Sequence, residues 1–226
     1  MIITTQCSII NYYIESMVRK RMSKNNLVIP QELSKEEFFS VKLPGATTVL
    51  SNVLGKDEFK DIPEPVLKQA AERGSAVHEW IENFILTGEQ KPIELAYQIY
   101  IDYFLDWYKE YQPEFISSEL RMTNEKDGYK GIIDTIFYYI DKYTGKKVLC
   151  MCDWKTSSNL NRFKTMCQLN LYERMFREHY STLKIDELRT LSITKTGYRF
   201  SKFELNKKIS DSILLLNTLK GKYNGE

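Results

Sequence analysis

The residues from Lys147 to Trp154, Lys-Val-Leu-Cys-Met-Cys-Asp-Trp, form an apolar run that ends on an acid. A run of this length and composition reads as a buried strand. Side chains alternate along a strand, so Asp153 and Lys155 emerge on one face with Leu149 and Met151 behind them. Tyr129 to Tyr139 is a second such segment, rich in aromatic and β-branched residues, with one acid, Asp134, at its centre. A lone carboxylate in that setting is costly unless it is paired or holds a ligand. The polar stretch between the two, with Gly145 inside it, has the length of a hairpin loop, and antiparallel pairing would bring Asp134 and Asp153 side by side.

Helical periods flank these strands. Val66, Ala70, Val77, Ile81 and Ile85 predict a helix that starts after Pro63 or Pro65, runs to Leu86 and is closed by Gly88. His78 lies inside it. A second helix, about Glu94 to Tyr111, carries an aromatic stripe (Tyr97, Tyr100, Phe104, Trp107, Tyr108) that reads as core packing. Phe115 to Met122 reads as a first strand. Arg162 to Tyr180 reads as a helix that puts Gln168 and Tyr172 on one face, at i and i+4. Leu188 to Thr194 and Tyr198 to Leu205 pair as a hairpin around Lys195-Thr-Gly197, and Lys207 to Leu219 is a closing helix. Pro44 to Ser51 reads as a loop entering a helix, with Thr47 or Thr48 as its cap and its free N–H groups able to hold a phosphate.

The order of elements is helices, three strands, a helix, two strands and a helix, which is an α/β (α+β) layer around a mixed sheet. Residues 1–40, with a helix from about Ser8 to Met22, read as an N-terminal helical arm, and residues 41–226 as one domain.

With 32 basic and 30 acidic residues the net charge is only +2, so the chain lacks the strong basic excess of a passive polyanion binder. Any nucleic-acid contact must then come from local clusters, such as Arg19-Lys20-Arg21, Arg162 with Lys164, Arg174 and Arg177, or Lys195 with Arg199 and Lys202. Cys7, Cys150, Cys152 and Cys167 are not spaced as a secreted disulfide framework and are expected to be reduced. The first residues lack a basic, cleavable leader, and no apolar segment is long enough to span a bilayer, so a cytoplasmic location is expected.

The acids and the lysine have a chemical reading. Phosphodiester cleavage needs a hard cation that neutralises developing charge and generates a hydroxide-like nucleophile. Asp134 and Asp153 offer two carboxylates, the Trp154 carbonyl a third oxygen, and Glu119 a direct or water-mediated ligand, a set that suits Mg²⁺ or Mn²⁺. A histidine ligand would shift the preference toward Mn²⁺. Lys155 beside them either gives up its proton and takes one from water, or stays charged and stabilises the transition state. Gln168 and Tyr172 could orient Lys155 or contact a phosphate.

Taken in order, these segments resemble the PD-(D/E)xK nuclease superfamily, and within it the RecB-type exonuclease branch, over about Pro44 to Tyr180. Arg73-Gly74-Ser-Ala-Val-His78-Glu-Trp-Ile-Glu82 is similar to that branch's helical Gly-x-x-x-His element, whose histidine binds metal, and Glu119 resembles the acid before the first site strand. Gly131-Ile-Ile-Asp134, Asp153-Trp-Lys155-Thr156 and Gln168 to Tyr172 resemble the Gly-x-x-Asp, Asp-x-Lys-Thr and Gln-x-x-x-Tyr elements. Pro44-Gly-Ala-Thr-Thr-Val-Leu is similar to the opening motif of phage-type and mitochondrial genome maintenance exonucleases, with Gly45 in place of the usual serine.

The resemblance implies a restriction-endonuclease-like core and a metal-dependent DNA exonuclease acting on single strands or DNA ends in recombination, repair or phage genome processing. In that reading His78, Asp134, Asp153 and the Trp154 carbonyl hold Mg²⁺ or Mn²⁺. Lys155, Glu119, Gln168 and Tyr172 complete the centre, while Thr47, Thr48, Arg73, Thr156 and Lys195 contact DNA. Some members of the branch carry an iron–sulfur cluster on one early and three late cysteines; the late trio has no counterpart here, so no cluster is expected.

Overall fold

The computed structural model describes residues 33–55, 61–157 and 159–223. Helices α1 (Lys35–Ser40), α2 (Ala46–Leu54), α3 (Glu64–Thr87) and α4 (Leu95–Tyr111) precede strands β1 (Glu114–Asn124), β2 (Tyr129–Ile140) and β3 (Lys147–Lys155). Helix α5 (Arg162–His179), strands β4 (Glu187–Thr194) and β5 (Gly197–Phe203) and helix α6 (Lys207–Tyr223) follow. The expected helix from Ser8 to Met22, the Arg19-Lys20-Arg21 cluster and Cys7 lie outside the described residues.

The five strands stand in sequence order, antiparallel at every step except β3–β4, which is parallel and is crossed by α5. Alternation along β3 splits the core in two. Val148, Cys150, Cys152 and Trp154 pack with the aromatic faces of α3 and α4, while Leu149 and Met151 pack with α2, α5 and α6. The fold is thus an α+β sandwich with helices on both faces of a mixed sheet, a restriction-endonuclease-like core.

The aromatic stripe of α4 is interior packing. Tyr100, Phe104, Trp107 and Tyr108 are buried, and the Trp154 ring meets Phe104 and Trp107 edge-on, 5.9 and 5.6 Å between centroids. Such aromatic pairs add about 0.5–1.5 kcal/mol each beyond their buried area. The residue between Asp153 and Lys155 is therefore anchored on the side of the sheet opposite to both.

One local expectation is overturned. Neither Thr47 nor Thr48 caps α2; Gly45 precedes the helix in extended conformation, with no side-chain hydrogen bond over the first turn. The reason is that the chain at this point is tied to the sheet. Gly45 bridges Lys130, whose N–H donates to the Pro44 carbonyl at 2.9 Å, which sets the helix start two to three residues before the threonines could act as caps.

Part of the segment read as an arm belongs to this layer. Ser34 and Glu37 close a capping box at the start of α1. Lys130 Nζ donates to the carbonyls of Phe38 and Val41, both at 2.8 Å, with Phe38 buried beneath.

Two of the basic residues along α5 are committed to structure. Arg174 grips both oxygens of Asp127 and also pairs with Asp211, and Arg177 pairs with Glu173. Cys150 and Cys152 lie on one face of the sheet and Cys167 on the other, all three free and buried. Among the described residues no helix is long and apolar enough to cross a membrane.

Candidate active site

The site opens where β2 and β3 part. They pair from Thr135 opposite Cys152 to Ile140 opposite Lys147, and the next rung of that register would set Asp134 opposite Asp153. At that fork Asp134 Oδ2 accepts the Trp154 N–H at 2.7 Å.

Helix α3 brings in His78 from across the fork. Its Nε2 lies 3.1 Å from the Trp154 carbonyl oxygen, and its Nδ1 faces Asp134 Oδ2 at 3.8 Å and Glu119 Oε1 at 3.9 Å. Helix and strand thus hold opposite ends of one residue's backbone.

Glu119 reaches the site through an unusual backbone. Its φ is +52°, although Ser118 and Leu120 on either side keep their rungs with Thr135 and Ile133. A left-handed conformation at such a residue costs on the order of 1–3 kcal/mol and persists only where the surroundings impose it. Here it falls on the rung opposite Asp134.

His78, Glu119 and Asp134 each offer a ligand atom, and these atoms lie within 4.8 Å of one another. Asp153 stands outside that trio, 3% exposed, with Oδ2 2.7 Å from Lys155 Nζ. The four groups are electrically coupled. Burial, then the Asp153 charge, push the Asp134 carboxyl up to about 7. Burial alone would lower the His78 imidazole, but Asp134, Glu119 and Asp153 outweigh it and hold it at about 9. Burial likewise opposes the Lys155 ammonium, yet Asp153 and Asp134 carry it above its ordinary value. Both basic groups therefore stay protonated at neutral pH.

A cavity of about 340 Å³ opens over this cluster, bordered by Thr47, His78, Glu119, Asp134 and Tyr172. Tyr172 is buried, and burial together with the Asp153 charge pushes its phenol up. The Gln168 amide donates to the Tyr172 oxygen at 3.0 Å, so this amide holds the phenol rather than Lys155. Gly131 explains how the ring fits, since a Cβ there would stand 2.7 Å from Tyr172 Cε1.

The residues expected to touch DNA are spread more widely. Thr47 borders the cavity and Thr48 is exposed beside it. Arg73 lies over the Tyr100 ring at 5.5 Å, and the Thr156 hydroxyl comes within 3.7 Å of the place a Cβ on Gly74 would take. Lys195 sits exposed in the two-residue turn between β4 and β5.

Two neighbours were given no role from the sequence. Lys130 borders the cavity while fastening α1. Glu82, one helical turn beyond His78, has its carboxyl pushed up by burial and by Glu119. A helical period applied from His78 finds Glu82; nothing local marks Lys130.

The chain shares its fold with a solved structure of low sequence identity. A proposed exonuclease from Eubacterium rectale is similar in structure, with a TM-score of 0.50 and 13% identity over 85% of each chain. An alkaline exonuclease from Laribacter hongkongensis aligns at a TM-score of 0.44 and 11% identity, over 84% of this chain and 92% of that one. Neither the family models nor the curated proteins compared with the chain give a match.

Proposed function

We propose that this chain is a metal-dependent nuclease that hydrolyses phosphodiester bonds in DNA, working from ends or on single strands. The observation that carries the reading is the convergence of His78, Glu119 and Asp134 within 4.8 Å, beside the Lys155–Asp153 pair. The likeness of fold to the Eubacterium rectale protein supports it.

The residues present fit a divalent cation. One imidazole, two or three carboxylates and the Trp154 carbonyl are a donor set for Mg²⁺ or Mn²⁺. The raised Asp134 carboxyl and the imidazolium held at His78 both mark an excess of negative charge that a cation would relieve. When bound, such an ion supplies charge neutralisation and an activated water. The protein's own part is positional. Asp134 and His78 fix the Trp154 peptide, Asp153 holds the Lys155 ammonium, and Lys155 in its charged form faces the negative charge that builds on the phosphoryl oxygens in the transition state.

Linear and circular DNA, single-stranded and duplex, separate the modes of attack. With Mg²⁺ or Mn²⁺, linear strands are expected to be degraded and circles left intact. Cutting of circles would make the chain an endonuclease with the same centre. Absence of cleavage of any DNA or RNA with either metal would sink the nuclease reading.

The metal role has its own readout. Ligands must be deprotonated, so metal binding displaces protons. At pH 7.5 His78 carries a proton that it must surrender to ligate. Titration of the metal-free protein with Mn²⁺ in buffers of different ionisation enthalpy should show release of about one proton per ion. The release should vanish as the pH is raised through about 9, with affinity rising on the way. Proton-neutral binding at pH 7.5 would remove His78 from the ligand set.

A further inference from the structure

We propose that a groove along β4 and β5, on the opposite side of Lys155 from His78, binds backbone phosphates of the substrate strand next to the bond being cut. This rests on the nuclease reading and adds to it a track for the strand.

The register builds the groove. Lys155 pairs with Ser192 on β4, and Ser192 pairs in turn with Arg199 on β5. Cross-strand partners share a face, and strands are spaced about 4.8 Å apart, so a row of side chains leads from Lys155 to Arg199 over roughly 10 Å. The row ends in a cavity of about 410 Å³ lined by Ser192, Thr194, Thr196 and Ser201, with Arg199 on one wall and Arg162 on the other.

The electrostatics fit a polyanion. Among the described residues no acid lines this groove. Arg174, Arg177 and Arg189 are each locked to a carboxylate, whereas among the described residues Arg162 and Arg199 have no carboxylate partner. Arg162 is laid against the Phe203 ring at 4.7 Å, which fixes its direction without neutralising it. Both arginines are exposed and able to accept a phosphate. The hydroxyls of Ser192 and Ser201 have no partner among the described residues, and they supply the neutral donors that phosphate oxygens take. On the other side of the site the cavity beside His78 is lined by Glu79, Glu82 and Glu119 as well as by Lys35 and Arg121, a mixed field that favours a strand less.

The test reads charge contacts directly and needs no catalysis. A fluorescein-labelled oligothymidylate is titrated by anisotropy, in EDTA, at several salt concentrations. Each phosphate contact contributes about 0.7 to the slope of log affinity against log salt on a single strand. Arg199→Ala and Arg162→Ala are each expected to lower that slope by about 0.7, and Arg199→Lys to keep it. An unchanged slope in both alanine variants, or no binding by the wild-type chain at low salt, would overturn the groove. Hydrolysis is scored separately on the same oligonucleotide with Mn²⁺. A lowered slope without wild-type hydrolysis supports the groove and removes the nuclease; hydrolysis with an unmoved slope does the reverse.

Discussion

Lys155→Ala is expected to lower hydrolysis of a linear DNA strand by about 10²- to 10³-fold, the usual effect of removing a preorganised charge from a transition-state site. Its ammonium is held above its ordinary range by Asp153 and Asp134, so in the metal-free protein it acts as a fixed cation and not as a base. The substitution also strands Asp153, 3% exposed, without its partner at 2.7 Å. Breaking a buried pair from one side costs on the order of 3–5 kcal/mol, so a stability loss will accompany the loss of turnover. Lys155→Ala combined with Asp153→Asn tests the stability part alone, since it removes both charges together. Thermal melting should recover while turnover stays low. Turnover by Lys155→Ala within tenfold of wild type would rule the residue out of the chemistry.

Gly131→Ala should be the most damaging single methyl group that can be added near the site. Its Cβ would meet Tyr172 Cε1 at 2.7 Å, with Met175 Cε at 3.2 Å, and both belong to a buried cluster that has little room to yield. Overpacking of this kind costs about 1–3 kcal/mol. It would also push the phenol away from the cavity it borders with His78 and Asp134. Chemical denaturation of Gly131→Ala, Tyr172→Leu and the double variant tests the cause. The double variant should be more stable than the sum of the single losses implies, because the leucine frees the space the methyl group needs. Strict additivity would mean that the ring is not what the methyl group meets.

The same pair shows what could be read from the chain alone. Gly131 and Tyr172 stand far apart in sequence, in segments whose strand and helix periods are plain, and each resembles a motif position separately. That one residue makes room for the other depends on how α5 lies across β2. Alternation was enough to place Asp153 and Lys155 together and to bring Asp134 near them, and the helical period was enough to put His78 inside α3. Three features had no local signature. The left-handed turn at Glu119 arises within the β1–β2 pairing. The start of α2 is set by the Gly45–Lys130 bridge, which displaced the expected threonine cap. The commitment of Arg174 depends on Asp127 and Asp211, distant in sequence. Each is a fact of tertiary register, which no window of residues contains.

The grip of His78 on the Trp154 carbonyl bears on the order in which this protein is assembled. Asp153 is paired with Lys155, but Asp134 and Glu119, both partly buried, would resist being brought beside it, and the protonated imidazole already stands among them as a built-in cation. Its contribution to folding is full below the ordinary imidazole value of 6.5 and fades as the pH rises through about 9, because the folded chain holds that proton more tightly than the unfolded one. Under the proposed metal role, the chain at neutral pH would therefore complete its fold before taking up an ion. If that role holds, a chelator would stop hydrolysis and leave the melting temperature unchanged, unlike small zinc domains whose ion is the folding energy itself.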